Sequence, residues 1–309
     1  MGKYVVAIGP NAIDEYYRCD NLPKLGEKCF MEYLEAVPGG MIPNTASVMA
    51  GYGLEVYSLD TLGQDEYTAV ILDDLKKNGV KTDYIDICSD IRNTKTNIIL
   101  SENERTIFII KNKKPKLFID ERKRDLLFGA SYIYSTINDM KNIDGSTDLI
   151  KQLKAAGVKI FFDVEKESFE DAQKDSFYFE NANVLVFNEG GFEKYKGERT
   201  WEETDQSLFS KGVEIIVTTL GSKGCIVRTP HWIQEYPGVK VDVKDPTGAG
   251  DTFNATFLYG LLEEWSIKKI TKYANFAAAR STMYFGPKGG IAPIKVIEEF
   301  IRKHKKEGE

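Results

Sequence analysis

Short apolar runs alternate with amphipathic segments along most of the chain. Buried strands are predicted where such runs end at polar or glycine residues, at 4–9, 56–59, 132–134, 158–162, 184–187 and 215–217. Helical spacing of apolar residues predicts helices at 43–53, 66–78, 148–156, 169–177, 253–264 and 268–285. Because strands that alternate with helices usually form a parallel sheet covered on both faces, we predict an α/β fold with ligands at the carboxyl ends of the strands.

Two segments do not fit this alternation. Residues 29–36 and 96–110 have the composition of strands, and the second reads as a hairpin with a polar turn at 101–104. We predict that they belong to a small second sheet, formed by about 15–37 and 94–112, which covers the site as a lid and excludes water. An edge extension of the main sheet is the alternative.

The composition narrows the classes of function. A length of 309 residues suits one large domain, 1–309, or two small ones. The net charge of −6, with acids and bases mixed, argues against a nucleic-acid partner, and the basic run 111–116 reads as a solvated loop. No apolar run approaches the length of a membrane span, and no signal peptide is recognisable, so no membrane partner is predicted. Four scattered cysteines indicate reduced thiols and a cytoplasmic location.

The segment Asp-Pro-Thr-Gly-Ala-Gly-Asp-Thr-Phe at 245–253 carries the most chemical information. Gly248 and Gly250 let the backbone approach a ligand closely, and the amides of such a turn, with the start of the following helix, form an anion site. A carboxylate such as Asp251 would repel an anion at this site unless it has a task there. Acceptance of a proton from an attacking hydroxyl is such a task. A glycine turn followed by an aspartate that caps the helix is the alternative.

Other polar positions fall at the ends of predicted strands and helices. Asp14, after the first strand, and Asn44, behind two glycines, suit a polyhydroxylated ligand, although a turn aspartate and an ordinary loop are the alternatives. The segment 219–224 suits nucleotide phosphates or a hairpin turn. Small residues on one face of the helix at 268–285 leave a wall for a purine, with Asn275 at its edge, or simply pack against another helix.

The order of these motifs resembles the ribokinase-like (PfkB-type) carbohydrate kinase family over nearly the whole chain, most closely at 245–253 and 39–53. The resemblance implies a three-layer α/β fold with a parallel sheet and a small β-sheet lid. It also implies transfer of the γ-phosphoryl group of ATP to a hydroxyl of a sugar or sugar acid, with Mg²⁺ and K⁺ as further cofactors. Because the lids of several members pair two subunits, a homodimer is implied as well.

The resemblance assigns roles to individual residues of this chain. Asp251 resembles the catalytic base, and the anion hole for the transferred group is formed by Gly248, Ala249 and Gly250. Substrate positions are Asp14, Gly39, Gly40, Asn44 and, for a carboxylate or phosphate on the substrate, Arg105. Nucleotide positions are Asn188, Thr219, Gly221, Gly224 and Asn275, and the positions that resemble a K⁺ site are Asp245 and Thr247.

One departure affects the expected metal arrangement. The family commonly carries Asn-x-x-Glu, a motif that arranges Mg²⁺ and phosphate, whereas this chain has Asn188 followed three residues later by Gly191. Glu189, Glu193 or another carboxylate would have to substitute. A second departure is Glu165, at a position where some sugar kinases carry asparagine.

The sequence argues against some other classes of function and leaves others open. The chain lacks the G-x-x-x-x-G-K-[ST] string of P-loop kinases and an early G-x-G-x-x-G, which argues against a P-loop kinase and a nicotinamide dehydrogenase. A nucleoside kinase of the same family remains open, with an aromatic pocket drawn from Tyr16, Tyr17, Phe30 and Tyr33. A non-catalytic sugar or nucleotide sensor also remains open, supported by Gly191 and opposed by the intact Asp251 loop.

Overall fold

The computed structural model describes residues 3–102, 104–110 and 114–307. Residues 1–2 and 308–309 lie outside the described residues, as do 103, 111 and 112 of the predicted lid and 111–113 of the basic run. The described strands are β1 (Tyr4–Ile8), β2 (Ala12–Arg18), β3 (Glu32–Gly39), β4 (Glu55–Leu59), β5 (Thr61–Gly63), β6 (Asp86–Cys88), β7 (Thr94–Ser101), β8 (Glu104–Ile110), β9 (Tyr132–Ser135), β10 (Lys159–Val164), β11 (Val184–Asn188), β12 (Ile215–Thr219), β13 (Gly224–Thr229) and β14 (Trp232–Pro237).

Helices occupy much of the remaining chain. The described helices are α1 (Met41–Gly51), α2 (Thr68–Lys77), α3 (Glu121–Gly129), α4 (Ile137–Lys141), α5 (Ser146–Ala155), α6 (Ser176–Asn181), α7 (Glu189–Lys196), α8 (Trp201–Phe209), α9 (Ala249–Leu262), α10 (Ile267–Ser281) and α11 (Ile294–Glu307). None of the helices within the described residues is long and apolar enough to cross a membrane.

A mostly parallel sheet forms the centre of the fold. Within the described residues it has eight strands in the order β14-β13-β12-β11-β10-β9-β1-β4. The strands from β12 to β4 pair in parallel, while β13 and β14 add an antiparallel hairpin at one edge. The carboxyl ends of the parallel strands therefore lie along one edge of the sheet, where polar residues from distant parts of the sequence meet.

Each face of this sheet is covered by helices, because the strand side chains alternate between two apolar cores. Val5 and Ala7 belong to the core that α1, α2, α9, α10 and α11 cover. Val6 and Ile8 belong to the opposite core, beneath the helices from α3 to α8. This three-layer arrangement confirms the predicted fold class.

A second sheet has the order β3-β2-β7-β8. The predicted hairpin at 96–110 is confirmed as β7 and β8, and the predicted strand at 29–36 lies three residues further along, as β3. The strand β2 was missed: Asp14 lies inside it, since this segment pairs with both β3 and β7 and buries Ile13 completely. That this sheet acts as a lid stays a prediction.

The helix predicted at 169–177 is wrong. The chain turns there, and α6 begins only at Ser176. The buried carboxylate of Asp175 accepts the backbone N–H groups of Glu170 and Asp171, and the carboxylate of Asp171 accepts those of Gln173 and Lys174. Aspartate side chains thus take the place of helical carbonyl acceptors in this segment.

Candidate active site

The glycine loop before α9 has the shape that the sequence predicts. Gly248 adopts a left-handed conformation (φ 79°) at the N-cap of α9, and a Cβ atom there would lie 2.6 Å from the Cα atom of Pro287. At Gly250 a Cβ atom would meet nothing within 4 Å, so open space lies beside the loop. The N–H of Thr252 makes the first hydrogen bond of the α-helical pattern, to the carbonyl of Gly248. The amides before Thr252 lie at the electropositive end of α9.

Asp251 lies in the first turn of α9 with only 9% of its surface exposed. Its Oδ2 accepts a hydrogen bond of 3.0 Å from Nδ2 of Asn44 on α1. Burial raises the pKa of Asp251 to about 7 even though this hydrogen bond lowers it. The charges of Glu165 and Asp14 act in the same direction as burial, and that of Lys288 opposes it. A carboxyl group with a pKa near neutrality can exchange a proton during a reaction.

A buried polar network lies beside Asp251. The hydroxyl of Tyr134 on β9 donates to Oδ2 of Asp163 at 3.0 Å and lies 3.0 Å from the hydroxyl of Thr45. Asn254, one turn after Asp251, donates to the same tyrosine oxygen at 3.3 Å. Burial raises the pKa of Asp163 well above its ordinary value, and the nearby charges of Glu165 and Asp251 add to this.

The predicted substrate residues come together where the second sheet meets α1. The pairing of β2 and β3 places Gly39 opposite Ala12, two residues from Asp14, and a Cβ atom on Gly39 would lie 1.9 Å from Oδ2 of Asp14. Gly40 has a φ of 107°, and a Cβ atom there would lie 2.9 Å from the carbonyl oxygen of Pro10. Gly39 therefore lets the Asp14 carboxylate lie against bare backbone, and Gly40 lets the chain pass close to Pro10 at the start of α1.

Arg105 reaches the glycine loop from β8 of the second sheet. Its Nη1 donates to the hydroxyl of Thr247. Oδ1 of Asp245 accepts the backbone N–H and the hydroxyl of Thr247 at 2.9 and 2.6 Å, and Oδ2 accepts the N–H of Gly286 at 2.9 Å. Burial acts to raise the pKa of Asp245, but these hydrogen bonds and the charge of Arg105 lower it.

The predicted nucleotide residues form a continuous edge. Asn188 and Thr219 are register partners at the ends of β11 and β12, and Thr219 is in turn paired with Cys225. Asn275 on α10 donates to the carbonyl of Pro237 at 3.4 Å, and its side chain acts to lower the pKa of Cys225, which burial raises. Gly221 (φ 58°) and Gly224 (φ 106°) shape the turn between β12 and β13. A Cβ atom on Gly224 would lie 2.0 Å from the carbonyl oxygen of Tyr236, so packing also explains that glycine.

The structure explains Gly191. A Cβ atom there would lie 2.3 Å from the carbonyl oxygen of Val164, so no glutamate fits at this position without movement of β10. Neither glutamate that could substitute for it is buried at this position. Glu189 is exposed, and Glu193 is exposed and forms an ion pair with Lys196. Burial and the charge of Glu167 raise the pKa of Glu165, and the side chain of Asn188 acts to lower it.

Four residues of this site were not picked out from the sequence: Thr45, Tyr134, Asn254 and Lys288. The sequence could have indicated Asn254, because it follows Asp251 by three residues on the same helix and therefore lies on the same face. Tyr134 is the last but one residue of a buried strand, the position from which side chains reach the ligand edge of an α/β sheet. No local pattern marks Lys288, whose charge acts on Asp14 and Asp251 only through the fold.

The arrangement suits a phosphotransferase: a buried carboxylate in the first turn of a helix, the predicted anion loop at 248–250 beside it, and the predicted nucleotide residues at the ends of β11 and β12, while Arg105 of the second sheet contacts the loop. The family model for pfkB family carbohydrate kinases matches residues 3–293, and the chain belongs to that family. It is an ATP-dependent carbohydrate kinase. A ribokinase of Bacillus subtilis is 27% identical over 97% of this chain and 99% of its own length.

Solved structures show the same fold. A ribokinase of Arabidopsis thaliana in complex with ribose and ATP has a TM-score of 0.84 at 22% identity and covers 98% of this chain and 99% of its own. A ribokinase II of E. coli, described as putative and in complex with ATP and Mg²⁺, has a TM-score of 0.82 at 17% identity over 98% of this chain and all of its own.

Proposed function

We propose that this kinase phosphorylates a hydroxyl of a sugar or sugar acid and that Asp251 is its general base. The observation that carries the proposal is the placement of a buried carboxyl group, with a pKa of about 7, in the first turn of α9 beside the open glycine loop. The acceptor hydroxyl lies between Asp251 and Asp14, where Asn44 and the backbone of Gly39 and Gly40 offer both donors and acceptors.

In the proposed reaction Asp251 orients the acceptor hydroxyl and takes its proton late. Because the transition state of phosphoryl transfer is loose, positioning and charge stabilisation supply most of the catalysis. The amides of Gly248, Ala249 and Gly250 hold the negative charge of the transferred group, and deletion of one such donor typically costs about 3 kcal/mol. The adenosine part of ATP lies along the edge described above, from Asn188 and Thr219 to Asn275.

Mg²⁺ would enter this site with ATP. Among the described residues, no group of three or more His, Cys, Asp and Glu side chains could hold a metal ion, which suits an ion whose ligands come mainly from phosphates and water. When bound, Mg²⁺ neutralises charge on the β- and γ-phosphates. We assign to Glu165, whose pKa the side chain of Asn188 acts to lower, the place of the carboxylate that Gly191 cannot supply.

We further propose that Asp245 and Thr247 bind K⁺. The lowered pKa of Asp245 keeps its carboxylate anionic at neutral pH, which favours a cation beside it. The proposal predicts faster turnover in KCl than in tetramethylammonium chloride of equal ionic strength. Equal rates in the two salts would remove K⁺ from the site.

A homodimer through the second sheet, which then acts as a lid, is also proposed. Large apolar side chains are exposed on this sheet and its loop: Phe30, Met31, Tyr33, Ile107, Phe108 and Ile109. Exposed apolar strands of this kind usually pair with another surface. Light scattering should give twice the mass of the chain, and Phe108→Lys should give a monomer.

The free thiols of the four cysteines agree with the proposed cytoplasmic location.

The decisive experiment measures ADP release from Mg·ATP with a panel of free sugars, sugar acids, sugar phosphates and nucleosides. Turnover with one sugar or sugar acid, lost in Asp251→Asn, supports the proposal. Turnover with nucleosides alone would identify a nucleoside kinase. ATP binding without turnover on any acceptor would favour a sensor and overturn the proposal.

A further inference from the structure

Three consecutive residues after α10 each contact a different part of the active site. The N–H of Gly286 donates to Asp245 at 2.9 Å. Pro287 packs where a Cβ atom of Gly248 would stand, so it supports the anion loop directly. The Lys288 ammonium donates to the carbonyl oxygen of Pro38 at 3.2 Å. Segment 286–288 therefore joins the anion loop to the end of β3. The contact there is with Pro38, the residue before Gly39 and Gly40 of the proposed substrate site.

Lys288 itself is a largely buried cation. Its side chain is 14% exposed, and its ammonium forms an ion pair with Asp74 of α2, whose side chain is 22% exposed. The backbone that carries it has little freedom, since a Cβ atom on Gly289 would lie 2.1 Å from the carbonyl oxygen of Phe285, and Arg280 donates to the carbonyl of Gly290 at 2.7 Å. The charge is thus held in place before any ligand binds.

The position of this charge matters because the site is otherwise acidic. The titratable groups that face Asp251 from the surrounding elements are Asp14 on β2, Tyr134 on β9, Asp163 on β10, Glu165 just after β10, and Lys288. Of these described groups, Lys288 alone is cationic, and it favours the ionised form of both Asp14 and Asp251. A nearby opposite charge commonly lowers a carboxyl pKa by about 1–3 units.

We infer that Lys288 is a positioning residue for the kinase reaction, which holds the end of β3 against the anion loop. Its contact with Pro38 places Gly39 and Gly40, and its charge acts on Asp251 without contact with the acceptor. The inference rests on the proposed role of Asp251 as base. The segment adds a second connection, besides the hydrogen bond from Asn44 to Asp251, between the anion loop and the substrate glycines, which are far apart in sequence.

The test compares the pH dependence of kcat/KM in the wild type, Lys288→Met and Lys288→Arg. Since activity needs ionised Asp251, kcat/KM rises with pH through the pKa of that group. Removal of a cation that favours the carboxylate should move this rise to higher pH by about one unit. The KM for the acceptor should also increase roughly tenfold, because the end of β3 loses its anchor. Lys288→Arg should retain the wild-type pH dependence.

Lys295→Met, an exposed lysine on α11, is the matched control and should behave as the wild type. Circular dichroism and the melting temperature verify that each variant is folded. A folded Lys288→Met protein with an unchanged pH dependence and acceptor KM would overturn the inference. If the wild type itself shows no rise with pH, or Asp251→Asn keeps normal turnover, the proposed base is wrong instead, so the two failures are distinguishable.

Discussion

The Asp251→Asn substitution should remove activity and at the same time stabilise the protein. Burial raises the pKa of Asp251 from an ordinary value of 3.8 to about 7, and a shift of this size corresponds to about 4 kcal/mol at roughly 1.36 kcal/mol per unit. Asparagine keeps an acceptor for the hydrogen bond from Asn44 but carries no charge. Its own amide group is buried as well, so we expect a gain of about 2 kcal/mol at pH 8.

The gain should depend on pH with a defined sign. A carboxyl group whose pKa is raised on folding contributes stability that is fully present below the unfolded pKa and is lost as pH rises through the folded pKa. The wild type should therefore lose stability, relative to Asp251→Asn, between about pH 4 and pH 7. The difference in melting temperature between the two proteins should be largest at pH 8 and small near pH 4.

Differential scanning fluorimetry at pH 4.5, 6 and 8 measures this difference, and a coupled ADP assay measures kcat. We expect the variant to lose about 10²–10⁴-fold in kcat, the usual contribution of a general base. Asp125→Asn, an exposed aspartate on α3, is the control and should change neither quantity. A variant that is less stable than the wild type at pH 8, or that turns over normally, would refute the reasoning.

Other substitutions test the geometry around the site. Gly39→Ala should raise the KM for the acceptor at least about tenfold in initial-rate assays, since its methyl group would displace the Asp14 carboxylate; an unchanged KM would contradict the placement of the substrate. Gly248→Ala, strained by its φ of 79° and its contact with Pro287, should lower both kcat and the melting temperature, with a strain of about 1–3 kcal/mol. Arg228→Met leaves the buried carboxylate of Asp205 unpaired and should lower the free energy of unfolding in urea by about 3–5 kcal/mol. The KM values for the acceptor and for ATP should stay unchanged, and a shift in either would connect this ion pair to the site.

The sequence predicted those features that are encoded locally. The alternation of apolar residues places Val5 and Ala7 on one face and Val6 on the other, and this local pattern was sufficient for the main sheet and its helices. The loop before Asp251 was equally predictable, because Gly248 has the left-handed conformation and the close contact that require a glycine there. The helix at 169–177 was wrong since side-chain to backbone hydrogen bonds, such as those of Asp175, do not appear in apolar periodicity.

Features that depend on contacts between distant segments could not be predicted. Nothing near Asp14 indicates a strand, because β2 is fixed by its pairing with β3 and β7. The lack of space at Gly191 depends on the carbonyl of Val164 on a neighbouring strand. Lys288 is 37 residues beyond Asp251 in the sequence, yet its charge acts on that carboxyl group. Each of these features requires the assembled fold.

The central claim is that phosphate moves from ATP to a hydroxyl held beside Asp251. Phosphorus-31 NMR of the protein with Mg·ATP and the acceptor found in the panel tests it directly, because the γ-phosphate resonance and a new phosphomonoester resonance are observed together. We expect the wild type to convert one resonance into the other and Asp251→Asn to leave ATP intact. A phosphomonoester formed at a similar rate by Asp251→Asn, or inorganic phosphate as the product of the wild type, would contradict it.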